Sequence, residues 1–242
     1  MTLRLRVVGR GRLGSALAAA LRSVDGWEVD LVAGRSVAAD ATAGIDLVLL
    51  CVPDAAIADV ARRLTPDAGA VVAHCSGAAG LDVLAPHERR ASVHPLVSVP
   101  DEARGAALLV GGWYAVSGDP LVGELVAALH GRPVEVADAD RARYHAAAVV
   151  ASNHLVALMG QVERIAGSIG LPLDAFLDLA RGSLDNVADL GAAAALTGPV
   201  ARGDWDTVRG HLAAIDPSER AAYLAGVALA ARLAGHDEVP LP

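Results

Sequence analysis

Three observations predict an α/β domain with a mostly parallel sheet, followed by an all-α domain. Short β-branched runs alternate with helical stretches over residues 3–137, the mark of a sheet whose strands are joined by crossover helices. From Asp138 onward no strand pattern remains. The first apolar run passes through a glycine turn straight into an apolar helix, VVGRGRLGSALAAAL over residues 7–21.

Taken in order, the strand-like runs are LRLRVVG, WEVDLVA, IDLVLLCVP, AVVAHCSG, ASVHPL, WYAVSG and PVEV. Residues 54–64, DAAIADVARRL, read as a helix that begins at Pro53 and Asp54. Residues 138–170 read as one long helix, with Asp138 or Asp140 as cap and Gly167 and Gly170 as stops. Further helices are predicted over 173–181, 184–196, 207–215 and 218–234. The last has the clearest start, with Asp216 as N-cap, Pro217 at the first helical position and Glu219 at the third. The expected domains are therefore 1–137 and 138–242.

Composition narrows the function classes. A 242-residue chain with 54% apolar residues can bury a full core. The net charge is −8 and the basic residues are dispersed, so neither nucleic acid nor an acidic membrane is an expected partner. Cys51 and Cys75 each lie in an apolar run, which favours reduced thiols in a reducing compartment over a disulfide. There is no apolar segment of signal length at the start and no run long enough to span a bilayer, so the cytoplasm is expected. No metal-ligating constellation is expected.

The glycine turn has the spacing G-x-G-x-x-G: Gly9, Gly11 and Gly14, with Arg12 and Leu13 between the last two. It follows a strand, opens a helix and has a second strand at the βαβ distance, the context of a Rossmann-like dinucleotide site. Gly9 permits the tight turn, Gly11 lets backbone approach a pyrophosphate, and Gly14 lets helix and strand pack closely. The phosphates would face the free N–H groups of the helix start. The bland alternative, a tight turn with no ligand, is disfavoured by this context.

Cofactor choice is read at the end of the second strand. An NAD site places an acid there for the ribose hydroxyls, but this chain has AGRS, with Arg35 and Ser36 suited to a 2′-phosphate. Asp30 falls inside the strand, too early to reach the ribose. NADP is the expected cofactor, although a solvated loop arginine would look the same. Only about ten residues separate Arg35 from the run starting at Ile45, near the minimum for a crossover. The third strand of a full nucleotide-binding fold is thus expected to be missing or short, and the adenine pocket open.

Ligands of open α/β sheets sit at the carboxyl ends of the strands. Val52 and Pro53 would pass beside the nicotinamide ribose. Ser76 is a candidate hydroxyl donor to the substrate, and His94, whose titration range lies near neutrality, a candidate proton donor. His74 is a candidate on the substrate side. Each has a plain alternative: Ser76 as a cap, His94 held against backbone before Pro95, His74 as packing. On the long helix, His145, Val149 and Asn153 lie at i, i+4 and i+8 and would share a face, as a catalytic surface or as a polar pair satisfied by neighbouring helices. Tyr144 and His154 flank them.

The stretches VVGRGRLGSALA, HCSGAAGLDVL, SVHPL, YHAAAVVASNHL and LTGPVARGD resemble, over the whole length, the two-domain proteins that join a Rossmann-like domain to a C-terminal dimerisation domain of unknown function. These look like relatives of 6-phosphogluconate dehydrogenase, pyrroline-5-carboxylate reductase, prephenate dehydrogenase and ketopantoate reductase. The resemblance implies an NADP-dependent oxidoreductase acting on a carbonyl or imine of a small carboxylated substrate, with a ketopantoate-like 2-keto acid as the most concrete example. It puts His145 at the place of the ketopantoate reductase lysine, Val149 at its first asparagine and Asn153 at its second, so that mechanism does not carry over intact. His94-Pro95 is similar to the histidine-proline of prephenate dehydrogenases, whose histidine meets the substrate oxygen. The LTGPVARGD turn makes Thr197, Arg202 and Asp204 candidates for the substrate, with an ordinary loop as the alternative. A homodimer through the helical halves is implied. Loss of the lysine keeps a second class in play, a non-catalytic NADPH-binding regulatory or sensor protein.

Overall fold

The computed structural model describes residues 2–240. Strand β1 (Leu3–Val8) leads through the glycine turn into α1 (Arg12–Arg22), and β2 (Trp27–Val32) ends in a single 3-10 turn, Gly34–Ser36. Then come β3 (Leu47–Leu50), α2 (Asp54–Arg63), β4 (Val71–His74), β5 (Arg90–Pro95), α3 (Glu102–Leu109), β6 (Trp113–Gly118), α4 (Leu121–Ala128) and β7 (Arg132–Glu135). The seven strands form one sheet in the order β2-β1-β3-β4-β5-β6-β7, parallel except where β6 runs against β5. No strand lies between Ser36 and Leu47, and β2 is an edge. The third strand of a full nucleotide-binding fold is missing, as the short crossover predicts.

Alternation along the strands sends successive side chains to opposite faces and so makes two cores. Leu47, Leu49, Leu5 and Val7 pack with Leu17 and Leu21 of α1 and Leu125 of α4 on one face. Val48, Leu50 and Val8 pack with Ile57 and Val60 of α2 on the other. Each fully buried leucine contributes about 1.5–3 kcal/mol to folding. The register aligns Val8, Leu50, His74 and Ser92 across four neighbouring strands. The residues just beyond them, Gly9, Cys51, Cys75 and Val93, therefore share one rim of the sheet, with His94 one place further along β5.

After β7 the chain is helical: α5 (Arg141–Val149), a π-helical turn (Val150–His154), α6 (Leu155–Gly167), α7 (Asp174–Leu190), α8 (Ala192–Ala195), α9 (Trp205–Ala214) and α10 (Arg220–Ala234). The chain divides into two compact units, Met1–Ser152 and Asn153–Pro242. Two expectations are corrected here. The long helix is interrupted by the π turn, where the Ser152 hydroxyl donates to the Ala148 carbonyl (2.7 Å), so a 3.6-residue period cannot be carried from His145 to Asn153. The helices expected over 173–181 and 184–196 are one helix that continues through Gly182 and breaks only at Gly191, because a single interior glycine costs only about 1 kcal/mol.

The second unit has a small core of Val200, Val208, Val227 and Ala231. Gln161 donates to the Glu219 carbonyl (3.0 Å), and the Arg164 guanidinium grips the Glu219 carboxylate. Asp216 caps the last helical segment by accepting from the Ser218 N–H (2.8 Å).

Candidate active site: a glycine groove and a histidine rim

Gly9 has φ +126°, and a Cβ there would lie well inside van der Waals contact with the Cys51 carbonyl oxygen. At Gly14 a Cβ would collide with the Gly9 carbonyl and sit 3.1 Å from the Cys51 Cβ. Both are glycine because the chain itself leaves no room. Gly11 differs: it is the N-cap of α1 in extended backbone, and a Cβ there would meet nothing within 4 Å. Nothing inside the protein requires glycine at this place.

Beside the turn lies a groove of about 410 Å³, lined by Gly9, Arg10, Gly11, Arg35, Val52, Pro53 and Arg63 among others. Its walls include three guanidinium groups and no carboxylate. Asp30 is turned away and paired with Arg6 at 2.9 Å. Arg35 and Ser36 sit exposed on the 3-10 turn, and Arg35 reaches the groove wall. Arg12 begins α1 on the surface, whereas Leu13 packs its side chain against the first core. The glycine turn, Arg35, Val52 and Pro53 singled out from the sequence thus line one groove.

Further along the rim the polar side chains are tightly engaged. His74 is fully buried; its Nδ1 accepts from the Ser76 N–H (3.2 Å) and its Nε2–H donates to the Gly80 carbonyl (3.2 Å). Burial holds its pKa below the ordinary histidine value. Ser76 donates its hydroxyl to the Asp54 carboxylate (2.6 Å) and accepts from the N–H groups of Ala78 and Ala79 (3.2 and 3.0 Å). Its proton is given to Asp54, at the start of α2, while its oxygen is held by the turn after β4. Asp138 caps no helix; its carboxylate accepts from the Leu81 N–H (2.9 Å) and from Arg141 (3.0 Å), a charge-assisted bond that a cap would forgo. Arg141 is buried and also holds the Ser117 hydroxyl (2.7 Å).

His94 stands apart. Its Nδ1 lies 2.6 Å from the Tyr144 hydroxyl, and its ring is edge-on to His145 with centroids 6.0 Å apart. Burial, reinforced by the charges of His145 and Arg141, lowers its pKa to about 4. Burial also pushes the Tyr144 phenol up to about 12. At neutral pH the pair is a neutral imidazole against a protonated phenol. The Nδ1 of His145 is buried without a hydrogen-bond partner among the described residues. A Cβ on Gly77 would come within 2.6 Å of that atom and 3.0 Å of the His94 ring, so Gly77 is the residue that leaves room for both imidazoles.

Residues 32–100 match the family described as Rossmann-like domain, and residues 115–229 match Domain of unknown function (DUF2520). The chain pairs a Rossmann-like domain with a DUF2520 domain. The sequence matches no curated protein. Among solved structures it is similar to protein TM1727 from Thermotoga maritima, at 27% identity and TM-score 0.72, covering 96% of this chain and 98% of that one. It is also similar to 1-pyrroline-5-carboxylate reductase from Streptococcus pyogenes (15%, TM-score 0.66, 96% and 98% covered). A third is the reductive aminase from Aspergillus terreus in complex with NADPH and ethyl-5-oxohexanoate (16%, TM-score 0.70, 98% and 99% covered). At the two lower identities the likeness is one of fold.

His94 and Ser76 fall in the Rossmann-like match, while Arg141, Tyr144 and His145 fall in the DUF2520 match. The hydrogen bond between His94 and Tyr144 therefore joins the two matched segments inside the first compact unit. Val149 ends α5, and Asn153 lies in the π turn at the start of the second unit. In that unit Asp204 caps α9, accepting from the N–H and hydroxyl of Thr207 (3.2 and 2.7 Å), with Thr197 and Arg202 exposed on the preceding turn. Within its own unit that turn has the geometry of a helix start. Sequence reasoning missed Arg10, Arg63, Asp54, Gly77 and Arg141. The short crossover was the one signal that could have pointed to Arg63, since it brings α2 next to the β2 turn.

Proposed function

We propose that this chain is an NADP-dependent oxidoreductase that transfers hydride to a carbonyl or imine carbon of a small carboxylated substrate. The observation that carries the reading is Gly11, a glycine with no reason inside the protein, set at a helix start beside a groove with basic and no acidic walls. Backbone at such a place can approach a pyrophosphate as closely as a ligand demands. Similar structures include a pyrroline carboxylate reductase with NADP bound and a reductive aminase in complex with NADPH, which supports the class and leaves the substrate open. A ketopantoate-like 2-keto acid is the first substrate to try.

When bound, the cofactor would supply the hydride from its nicotinamide ring. Gly9, Gly11 and Gly14 would hold the pyrophosphate, Arg35 and Ser36 the 2′-phosphate, and Val52 and Pro53 the nicotinamide ribose. His94 is neutral at working pH, so it acts through an N–H and not as an imidazolium. The Tyr144 hydroxyl donates to its Nδ1, which keeps the proton on Nε2 facing the space that Gly77 leaves. His94 would give its Nε2 proton to the substrate oxygen or nitrogen while the Tyr144 phenol proton passes to Nδ1, so that no imidazolate is left; solvent would then reprotonate Nε2 as Nδ1 returns its proton to the phenolate. His145 shapes the same space. Ser76 and His74 position the turn after β4.

The exposed apolar residues of the helical unit support a homodimer through that unit. Cys51 and Cys75 are free thiols, which suits the cytoplasm, and among the described residues no helix is long and apolar enough to cross a membrane.

The test is Gly11→Val. Its melting temperature should stay close to that of the unaltered protein, while NADPH binding, followed by fluorescence titration, should fall at least about tenfold; unchanged binding would remove the observation on which the reading stands. A second reading, an NADPH-binding regulatory protein without turnover, is favoured by the engagement of Ser76 and His74 in the fold. NADPH oxidation across a panel of 2-keto and imino acids, with His94→Ala and His145→Ala alongside, separates the two: tight NADPH binding with no turnover selects the second.

A further inference from the structure

The β2 turn and α2 meet because the crossover between β2 and β3 carries no strand or α-helix of its own. As a result Arg63, in the last turn of α2, donates from Nη2 to the Gly34 carbonyl (3.2 Å), on the same turn that carries Arg35. From the other side Arg10 donates from Nη2 to the Leu31 carbonyl (3.2 Å). Arg63 gives one N–H to this turn and Arg10 one to the end of β2, and each keeps the rest of a five-donor fork. None of Arg10, Arg35 and Arg63 is in an ion pair among the described residues, whereas their neighbours Arg6 and Arg62 are paired with Asp30 and Asp59. All three line the groove, which has no acid on its wall.

We infer that Arg63 sets the preference for a 2′-phosphorylated nucleotide, completing with Arg10 and Arg35 a three-guanidinium site for that phosphate. This rests on the dinucleotide reading above and adds a determinant from α2, an element remote in sequence from the glycine turn and the β2 end. The chemistry is bidentate recognition of a dianionic phosphate, for which the planar guanidinium fork is suited and a lysine ammonium less so. A different role is physically open to Arg63: stacking its guanidinium on the adenine ring, which would serve NADH and NADPH alike. The two roles give opposite patterns.

The experiment measures dissociation constants by calorimetry for NADPH, NADH, 2′,5′-ADP and 5′-AMP, on the full chain and on Arg63→Ala, Arg63→Lys and Arg62→Ala. For Arg63→Ala, NADPH and 2′,5′-ADP should weaken about tenfold or more, the loss of a charge-assisted pair, while NADH and 5′-AMP change less than about twofold. Arg63→Lys should recover only part of the loss. Arg62→Ala, which removes the same charge one residue away, should leave the preference intact. Equal weakening of phosphorylated and unphosphorylated ligands overturns the inference in favour of stacking; so does an unchanged NADPH constant, or an equal loss in Arg62→Ala. If the unaltered protein binds none of the four, the dinucleotide reading falls together with the inference; if it binds them and only the Arg63 pattern fails, that reading stands.

Discussion

The two compact units are built on different terms. In the first, a seven-stranded sheet has a closed apolar core on each face, and leucines such as Leu17, Leu49 and Leu50 are buried to 1% exposure or less. In the second, all of α7 contributes no buried residue, and Leu179 and Leu190 are 68% and 62% exposed. Single exposed leucines are ordinary, but a whole helix with an outward apolar stripe is not. The first unit closes a core on both faces of its sheet, although Leu108 and Val110 stay exposed. The second leaves a whole helix without a buried residue, the surface on which the homodimer proposal rests.

The sharpest way to break this contrast is to remove comparable side chains from both units. Leu49→Ala should cost about 2–5 kcal/mol in denaturant unfolding, independent of protein concentration, since a fully enclosed strand residue leaves a cavity. Leu179→Ala should cost an isolated subunit less than about 0.5 kcal/mol. A large, concentration-independent loss at Leu179 would mean that the second unit is closed after all.

The next effect concerns assembly. Leu179→Arg places a charge on the stripe and should weaken self-association by about tenfold or more, the loss of one buried leucine, read by sedimentation velocity. The melting of the first unit should not move. A variant that sediments as the unaltered protein does would send the homodimer proposal to another face.

Acid should separate the units as well. His94 and His74 have folded pKa values below the ordinary 6.5, so the unfolded chain binds more protons than the folded one, and the first unit loses stability as pH falls from about 6.5 toward 4. In the second unit the groups shifted in the acid range are carboxylates: Asp204, Asp216 and Glu219 are held below their ordinary range by side-chain hydrogen bonds from Thr207, Ser218 and Arg164. Their contribution is present above about pH 4 and is lost only below it. Trp27 and Trp113 lie in the first unit and Trp205 in the second, so a Trp205→Phe background reports the first unit alone. The first unit's signal should become heat-labile between pH 6.5 and 4, and His94→Gln should flatten that dependence.

What the sequence made legible follows the same division. The strands, the glycine turn and the missing third strand were readable because alternation, glycine spacing and crossover length are local, periodic signals. The π turn was not, because Ser152 bonding back to Ala148 leaves no mark in an alanine-rich pattern. The candidate site was half readable. Gly9, Gly14, Arg35, Val52, Pro53 and His94 are found where strand ends place them. Arg63, Gly77 and Arg141 were hidden because their roles arise from contacts across 29, 68 and 65 residues, with Gly34, His145 and Ser76. Ser76 was readable as a rim residue, but the Asp54 acceptor that takes its proton was not.

The most local effect belongs to Tyr144, and it tests whether the rim is a chemical device or only a packed corner. Tyr144→Phe keeps the ring and deletes the hydroxyl 2.6 Å from His94 Nδ1. The stability cost should be about 0.5–1.5 kcal/mol, that of one hydrogen bond, and NADPH affinity should not change. If the phenol only fills space, turnover should follow stability and stay near that of the unaltered enzyme at low temperature. If it fixes the imidazole proton on Nε2, kcat should fall while KM for NADPH holds, because half of the neutral His94 rings can then carry the proton on the wrong nitrogen. A fall in kcat without a change in melting at the assay temperature would place Tyr144 in the chemistry through His94, and a parallel loss of both would place it in the fold.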